Sequence, residues 1–201
     1  MSLFHTESLS RSGLAPVTLS LAVGECLGIS GPSGAGKSLL LRSLADLDPH
    51  DGQMWLEEVG SIEMTPCQWR RQVMLLPAES QWWFEIMAAH FTGMEPDAEQ
   101  LAELGLTEAM LAQPVAQLST GERQRFAVLR MLLHKPRVLL LDEPTASLDP
   151  KSVERVEKLL GDYCSDTHAA MVWVGHDPQQ LQRMASRQCV MHAGKLECAN
   201  E

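Results

Sequence analysis

The stretch GPSGAGKS at residues 31–38 constrains the fold more than any other feature of the chain. It fits the pattern G-x-x-x-x-G-K-[ST], follows the apolar run CLGIS (26–30) and precedes a helical pattern, LLLRSLADL. Glycines let the backbone curl so that successive N–H groups point at phosphate oxygens, and the following helix adds the positive end of its dipole. The sequence therefore predicts a strand–loop–helix unit that binds a nucleoside triphosphate.

We expect the whole loop to contribute to phosphate binding. Lys37 can reach the β- and γ-phosphates, and the Ser38 hydroxyl can ligate Mg²⁺. The alternative is a glycine-rich turn without a ligand, and the strand and helix on either side favour the phosphate site. The predicted nucleotide-binding residues here are Gly31, Pro32, Ser33, Gly34, Ala35, Gly36, Lys37, Ser38 and Leu39.

A second motif, VLLLDEP at 138–144, supplies acidic partners for such a site. Its apolar run is typical of a strand buried on both faces of a parallel sheet, and strand ends of this kind lie beside a phosphate loop. We expect Asp142 to hold Mg²⁺ and Glu143 to act as the general base that activates water. The alternative is an acidic pair that ends the strand for solubility.

Composition narrows the classes of function. A net charge of -10 disfavours nucleic-acid binding, which needs clustered Lys and Arg. The chain shows neither a secretory signal nor an apolar run near the roughly 18 residues that span a bilayer, so we expect a cytoplasmic protein without a membrane span. The cysteine count is odd and no C-x-x-C occurs, so we expect reduced thiols and no disulfide framework. The cysteines are Cys26, Cys67, Cys164, Cys189 and Cys198.

Hydrophobic patterns alternate between strands and helices, which indicates an α/β fold with a mostly parallel sheet. Alternation at 17–25 and a closing hairpin at 188–197, turning at Gly194, indicate an antiparallel β flank. Residues 82–115 are mostly helical in pattern. Asp149 is a candidate N-cap before Pro150, the first position of another helix.

Three further elements complete an ordered set: LSTGE at 118–122, SLD at 147–149, and a lone His176 after the strand MVWVG. With the phosphate loop and LLLDEP, the chain from Leu14 to Glu197 strongly resembles the ATP-binding cassette family, the nucleotide-binding subunits of ABC transporters. The resemblance implies one domain over 1–201 with a P-loop NTPase core. A small helical signature subdomain, approximately 79–135, would be inserted between core segments 1–78 and 136–201.

The resemblance also implies a site shared by two copies packed head to tail. Ser119, Gly121 and Glu122 of the signature loop would face ATP held by the other subunit, and Asp149 would belong to a loop that couples the two sites. The alternative is that LSTGE only caps a helix, and both interpretations can be true at once. His176 would contact the γ-phosphate and help position water.

The implied cofactors are ATP and Mg²⁺. The implied partners are a multi-span transmembrane permease and a second cassette in a homodimer or paired cassette, with the chain peripheral to the inner face of the membrane. The alternatives are a soluble, non-transport cassette ATPase acting on DNA or ribosomes, a small-molecule kinase, and a weakly hydrolysing regulatory cassette. A kinase would leave LSTGE and SLD unexplained.

Departures from the family pattern fall at four places. Ala78 stands where the family has a glutamine that contacts Mg²⁺, and Glu79 or Gln81 are candidate substitutes. Thr120 replaces a glycine, so the signature loop must use an ordinary backbone conformation there. No aromatic residue is available to stack on adenine, and Arg11 is a weak candidate. The helical subdomain is compact, with 39 residues between Ala78 and Leu118.

The run Trp82–Trp83–Phe84 is unusual in a chain with 5% aromatic residues. One interpretation is that these rings form the core of the helical subdomain. The other is that some of them line a groove for a helix of the membrane subunit, since exposed aromatic side chains mark interaction sites.

Overall fold

The computed structural model describes residues 2–198. Its strands are β1 Ser2–Arg11, β2 Leu14–Ala22, β3 Cys26–Ser30, β4 Asp51–Leu56, β5 Val59–Gly60, β6 Val73–Leu76, β7 Val138–Asp142, β8 Ala170–Val174, β9 Arg187–His192 and β10 Lys195–Cys198. Its α-helices are α1 Lys37–Leu44, α2 Pro66–Gln72, α3 Ala98–Glu103, α4 Glu108–Leu111, α5 Thr120–Leu133, α6 Pro150–Thr167 and α7 Pro178–Met184. Short 3₁₀ helices cover Ser61–Glu63, Met87–Phe91 and Val115–Gln117.

A six-stranded sheet in the order β10-β9-β3-β8-β7-β6 forms the centre of the fold. Strands β3, β6, β7, β8 and β9 run parallel, and β10 pairs antiparallel with β9 at the edge. The predicted α/β class with a mostly parallel sheet is confirmed. The carboxyl ends of β3, β7 and β8 lie at one edge of the sheet, so the loops that follow them are neighbours.

The antiparallel flank is a second sheet in the order β2-β1-β4-β5. Its strand β2 confirms the alternation predicted at 17–25, but β1 was not predicted from the sequence. The pairing of β1 with β2 shifts register three times between Ser2 and Arg11. These irregularities interrupt the period-2 alternation by which a half-buried strand is recognised.

Two hydrophobic clusters lie on opposite faces of the central sheet. On β7, Val138 and Leu140 pack toward the antiparallel sheet, whereas Leu139 and Leu141 pack toward α5 and α6. Every residue of β7 and β8 is buried, as the continuous apolar run VLLLD predicted. The sheet is therefore covered on both faces and holds its strand ends in fixed positions.

The region between β6 and α5 is less helical than its pattern predicted. No helix covers residues 77–86, and the helices that follow are short, with α3 spanning six residues and α4 four. Gly93 adopts φ 80, and Pro96 lacks the N–H that a helix needs. The prediction that 82–115 is mostly helical was therefore wrong for the segment that holds the aromatic run.

A disulfide joins Cys189 to Cys198, which contradicts the prediction that the cysteines are reduced. The two residues are directly opposite in the register of β9 and β10, with their Cα atoms 4.0 Å apart. The prediction rested on the count and the local spacing of the cysteines. It failed because the register of the hairpin, which neither of these reveals, brings this pair together. Cys26 and Cys164 are buried free thiols, and burial raises the pKa of each to about 12.

Within residues 2–198, every helix is too short or too polar to cross a bilayer.

Candidate functional site

The phosphate loop connects β3 to the first turn of α1. Gly31 (φ 146) and Gly36 (φ 107) adopt left-handed conformations that favour glycine. A Cβ at Gly31 would also collide with the carbonyl oxygen of Met191 on β9. Lys37 is buried and donates from Nζ to the carbonyls of Gly31 at 2.7 Å and Pro32 at 3.0 Å. The loop is thus curled around its own lysine.

This loop opens onto a cavity of 230 Å³. The cavity brings together three segments that are far apart in sequence, namely the phosphate loop, the end of the VLLLDEP motif and the loop after β8. The residues that line it are Ser33, Gly34, Ala35, Gly36, Lys37, Ser38, Leu39, Glu143 and His176. Most of the predicted phosphate-binding residues therefore share one cavity with both predicted catalytic residues.

Glu143 and His176 form a direct contact, with Nε2 of the imidazole 2.8 Å from Oε1 of the carboxylate. Glu143 follows β7 with φ 50, a left-handed conformation that costs of order 1–3 kcal/mol for a non-glycine residue. Its backbone N–H donates to the carbonyl of Val174 at 3.0 Å, which extends the pairing of β7 with β8 by one residue. Strain of this kind persists only where surrounding contacts fix it, and it clusters at functional sites.

Ser38 and Asp142 supply oxygen ligands of the kind that Mg²⁺ prefers. Ser38 is exposed beside the loop, and Asp142 is 8% exposed at the carboxyl end of β7. Hydroxyl and carboxylate oxygens near a phosphate site suit an ion that binds through one or two protein ligands and the phosphates themselves. The donor chemistry of these residues therefore fits Mg²⁺.

The signature loop begins α5 with a reciprocal cap. The N–H of Glu122 donates to Oγ of Ser119 at 3.2 Å, and the N–H of Ser119 donates to the Glu122 carboxylate at 2.7 Å. These contacts hold the pKa of Glu122 below its usual range, chiefly through the backbone N–H of Ser119. Gly121 lies against the carbonyl of Ser147 and the side chain of Leu148. Ser119, Gly121 and Glu122 do not line the phosphate cavity of their own chain.

Asp149 caps α6, as the sequence predicted. Its carboxylate accepts from the N–H groups of Lys151 and Ser152 at 3.1 Å and from Oγ of Ser152 at 2.6 Å. The Ser152 hydroxyl is the main cause of the lowered pKa of Asp149. Asp149 is exposed and, like the signature residues, lies outside the phosphate cavity.

The family model described as ABC transporter matches residues 14–146, which is more than half of the chain. The chain belongs to the ABC transporter family. It is accordingly an ATP-binding cassette with ATPase activity.

Individual relatives span most of this ABC cassette. The chain is 37% identical over 216 residues to the lipoprotein-releasing system ATP-binding protein LolD of Shewanella sp. (strain MR-4), covering 98% of this chain and 93% of LolD. It is 34% identical over 207 residues to protein STAR1 of Oryza sativa subsp. japonica. That match covers 96% of this chain but 59% of STAR1.

A solved structure shares the fold at lower identity. The dimeric, post-hydrolysis ATP-binding cassette MJ0796 with ADP and Pi has a TM-score of 0.81 and 22% identity to this cassette, covering 98% of this chain and 99% of that one. At this identity the likeness concerns the fold.

Two of the cassette's departures from the family pattern involve the missing glutamine and the missing adenine-stacking residue. Ala78, Glu79 and Gln81 are exposed after β6, and none of them lines the phosphate cavity. Arg11 contacts Asp48 through Nη1 at 2.5 Å, so its guanidinium is paired with a carboxylate. Asp48 also pairs with Arg42 at 2.6 Å, and the two guanidinium groups, Arg42 foremost, hold the pKa of Asp48 well below its usual range.

The aromatic run of the cassette is divided between core and surface. Trp82 is half-buried against the cluster around α5, whereas Trp83 is 66% and Phe84 50% exposed. Arg130 lies over both tryptophan rings, with Cζ 4.2 Å from the ring centre of Trp82 and 4.9 Å from that of Trp83. The core interpretation therefore holds for Trp82 alone.

Two contacts that hold the site together were not predicted from the sequence, one from a buried side chain and one from a backbone N–H. Gln124, buried on α5, donates to the carbonyl of Pro144 at 3.2 Å and ties the signature helix to the turn after Glu143. Gly194 donates its N–H to the carbonyl of Ala35 at 2.8 Å, so the closing hairpin supports the phosphate loop. A buried glutamine carries no motif of its own, and a backbone contact leaves no mark in the sequence, so only the three-dimensional structure reveals these two roles.

Proposed function

We propose that two copies of this chain bind ATP between them and that hydrolysis of this ATP drives a separate multi-span transmembrane permease. The observation that carries the proposal is the 2.8 Å contact between Glu143 and His176 at the mouth of the phosphate-loop cavity. A carboxylate and an imidazole from two different loops meet beside a loop built for phosphate. A general base and an orienting group for hydrolysis require this arrangement.

In this proposal the phosphates of ATP bind to Lys37, to the N–H groups of the loop and to the N-terminus of α1. Glu143 accepts the proton of the attacking water. The imidazole N–H of His176 donates to Oε1 of Glu143, which leaves the other carboxylate oxygen free to face the water. The protein thus acts by positioning the water and by stabilising charge, as phosphoryl transfer demands.

Ser38 and Asp142 would hold Mg²⁺, Ser38 as a ligand and Asp142 directly or through water. The ion would neutralise charge on the β- and γ-phosphates. Ala78 has no side-chain oxygen to offer the ion, and water would fill the positions that the protein leaves open, because Mg²⁺ commonly keeps several waters.

The signature loop would complete the site of the other copy. Ser119 is exposed at the N-terminus of α5, a 14-residue helix whose positive end favours an anion. Gly121 allows close backbone approach, and the carboxylate of Glu122 fixes Ser119 in its capping position. Asp149 fixes the start of α6 beside the Ser147–Leu148 contact with Gly121. Each chain would therefore carry two half-sites that meet only across a dimer.

The helical subdomain at approximately 79–135, inserted in the core of 1–78 and 136–201, would face the permease. Trp83, Phe84 and Ile86 expose apolar surface within one short non-helical segment of this region, with Ile86 37% exposed. Aromatic side chains of this kind anchor protein interfaces. Docking there would place the chain at the cytoplasmic face of the membrane.

Replacing Glu143 with Gln tests the hydrolytic role. We expect kcat for ATP to fall about 10²–10⁴-fold, because the amide cannot accept the proton of water. Steady-state ATPase assays on the purified chain measure this, and Glu58→Gln, an exposed carboxylate in the β4–β5 turn, is the matched control. Equal turnover by the wild type and Glu143→Gln would contradict the proposal.

A further inference from the structure

Glu143 and His176 belong to different loops, and the backbone pairing between β7 and β8 ends at their bases. The ladder stops at Asp142 opposite Val174, and the N–H of Glu143 adds one more bond to Val174. Beyond that point, the two loops need another connection to keep the carboxylate and the imidazole 2.8 Å apart.

Side chains supply this connection through the pair Thr145–Gln180. Thr145 lies two residues after Glu143, and Gln180 lies on α7, which begins two residues after His176. The amide Nε2 of Gln180 donates to Oγ1 of Thr145 at 2.9 Å. The Thr145 hydroxyl also lies 3.2 Å from Oε1 of the same amide. Both side chains are buried, with relative exposures of 8% and 6%, and hydrogen bonds in such surroundings are stronger than exposed ones.

The second N–H of the Gln180 amide is anchored on α6. It donates to Oε1 of Glu157 at 2.8 Å, which uses the full donor capacity of the amide. Arg183, one turn along α7, donates to the same carboxylate oxygen at 2.8 Å. The orientation of Gln180 is therefore fixed from both sides, by a hydroxyl on the Glu143 turn and by an ion pair between α6 and α7.

The turn that carries Glu143 needs such support. Glu143 has φ 50, and two backbone bonds close its turn, Ala146 N–H to Glu143 O at 3.2 Å and Leu148 N–H to Thr145 O at 3.1 Å. From outside the turn, Gln124 on α5 also donates to the carbonyl of Pro144. A cavity of 240 Å³ lies behind the catalytic pair and is lined by Glu143, Thr145, His176 and Gln180 among others. The turn has room to relax into that space once Thr145 is released.

We propose that Gln180 is a positioning residue for ATP hydrolysis: through Thr145 it holds the carboxylate of Glu143 on the imidazole of His176. This inference rests on the proposed function of that pair. Gln180 does not line the phosphate-loop cavity, so its effect on the catalytic pair passes through the turn at Thr145.

The test replaces Gln180 with Met, which keeps the length of the side chain and removes both N–H donors. We expect kcat for ATP to fall about tenfold while KM for ATP changes less than twofold, since the phosphate loop is untouched. Gln179→Met, on the exposed face of the same helix, is the matched control and keeps wild-type kinetics. The proposal is overturned if Gln180→Met keeps the wild-type kcat. It is also overturned if KM rises in parallel with the loss of kcat.

A second pair of variants tests the route through Thr145. Thr145→Ser keeps the hydroxyl and is expected to retain kcat, whereas Thr145→Val, of the same shape, is expected to lose about as much as Gln180→Met. The double variant Thr145→Val/Gln180→Met is expected to be no worse than either single variant, because both remove the same bond. Additive losses overturn the proposal.

Amide hydrogen exchange separates this proposal from the proposed function. The N–H groups of Ala146 and Leu148 report on the turn directly, and we expect both to exchange at least fivefold faster in Gln180→Met than in Gln179→Met. Unchanged exchange overturns the role of Gln180 even if ATPase activity falls. A wild-type protein that fails to hydrolyse ATP would overturn the proposed function, and the exchange comparison would still decide whether Gln180 holds the turn.

Discussion

Thr120 shows at the scale of one residue how the signature loop accommodates a side chain where the family has glycine. Thr120 is the first residue of α5, after the N-cap Ser119, and it is not among the residues with positive φ. The expected ordinary backbone conformation is thus confirmed. Its hydroxyl accepts from Arg123 at 3.2 Å, one turn along the helix. A Cβ is tolerated there because the loop begins the helix directly and needs no left-handed residue.

His90 organises the aromatic run in the same local way. Its Nε2 accepts from the backbone N–H groups of Trp83 and Phe84 at 3.0 and 2.9 Å, so the ring must be neutral at that nitrogen. His90 is 6% exposed, and burial lowers its pKa, with a further contribution from the positive charge of Arg130. Protonation would break both backbone contacts and release the exposed rings.

His90 therefore predicts a pH dependence of stability. Because the pKa of His90 is lowered in the folded state, neutral His90 contributes fully to the free energy of unfolding above the ordinary histidine pKa of 6.5. This contribution is lost as pH falls through the lower folded value. We expect the difference in Tm between pH 7.5 and pH 5.5 to shrink by roughly a few degrees in His90→Leu relative to the wild type. Thermal unfolding at the two pH values measures it. His192→Leu, exposed on β9, is the control, and an identical pH dependence in wild type and His90→Leu would show that His90 does not titrate with unfolding.

At the scale of elements, the closing hairpin β9–β10 buttresses the nucleotide site. The carbonyl of Met191 packs on Gly31, and the Gly194 turn bonds both to Ala35 and, through its carbonyl, to the N–H of Ala15 at 2.9 Å. The disulfide between its two strands closes a short loop at the end of the described chain. The hairpin thus links the phosphate loop to the antiparallel sheet.

Cys198→Ser tests the contribution of the disulfide. Because a cross-link of nine residues' separation restricts the unfolded chain, we expect its removal to cost about 2–3 kcal/mol of stability. Urea unfolding with and without a thiol reductant measures it, and the reductant should have no effect on the variant. Cys67→Ser, an exposed free cysteine, should match the wild type in both conditions. A wild type that is insensitive to the reductant and as stable as Cys198→Ser would contradict this contribution.

At the scale of the whole molecule, local sequence patterns predicted most strands, helices and motifs. Contacts between distant segments determined the features that the sequence did not predict. The phosphate loop, the buried strands β7 and β8, the Asp149 cap and the Gly194 hairpin follow from short patterns of residues. The disulfide, the Gln180 contacts and the strand β1 depend on register and packing between distant segments, which no local pattern encodes.

The residues of the candidate site fall into the same two groups, those that a local pattern predicts and those that it does not. Sequence motifs located the residues that share the phosphate cavity, because each motif sits at a strand end or a helix start. The motifs could not locate Thr145, Gln124 or Gln180. These residues matter because of the hydrogen bonds they form with residues distant in sequence. The sequence also could not predict which aromatic residues of the run are buried. Trp82 packs inward, whereas Trp83 and Phe84 remain exposed.

The central claim is that each chain carries two half-sites, and ATP-dependent dimerisation of Glu143→Gln tests it most directly. We expect light scattering coupled to size exclusion to show a dimer of this variant with ATP and Mg²⁺ and a monomer without nucleotide. Adding Ser119→Arg should abolish the dimer while ATP still binds the monomer, because the new side chain occupies the approach to the other copy's phosphates. Adding Ser165→Arg, exposed on α6, should leave the dimer intact. A Glu143→Gln protein that stays monomeric with ATP, or a dimer that persists with Ser119→Arg, would contradict the claim.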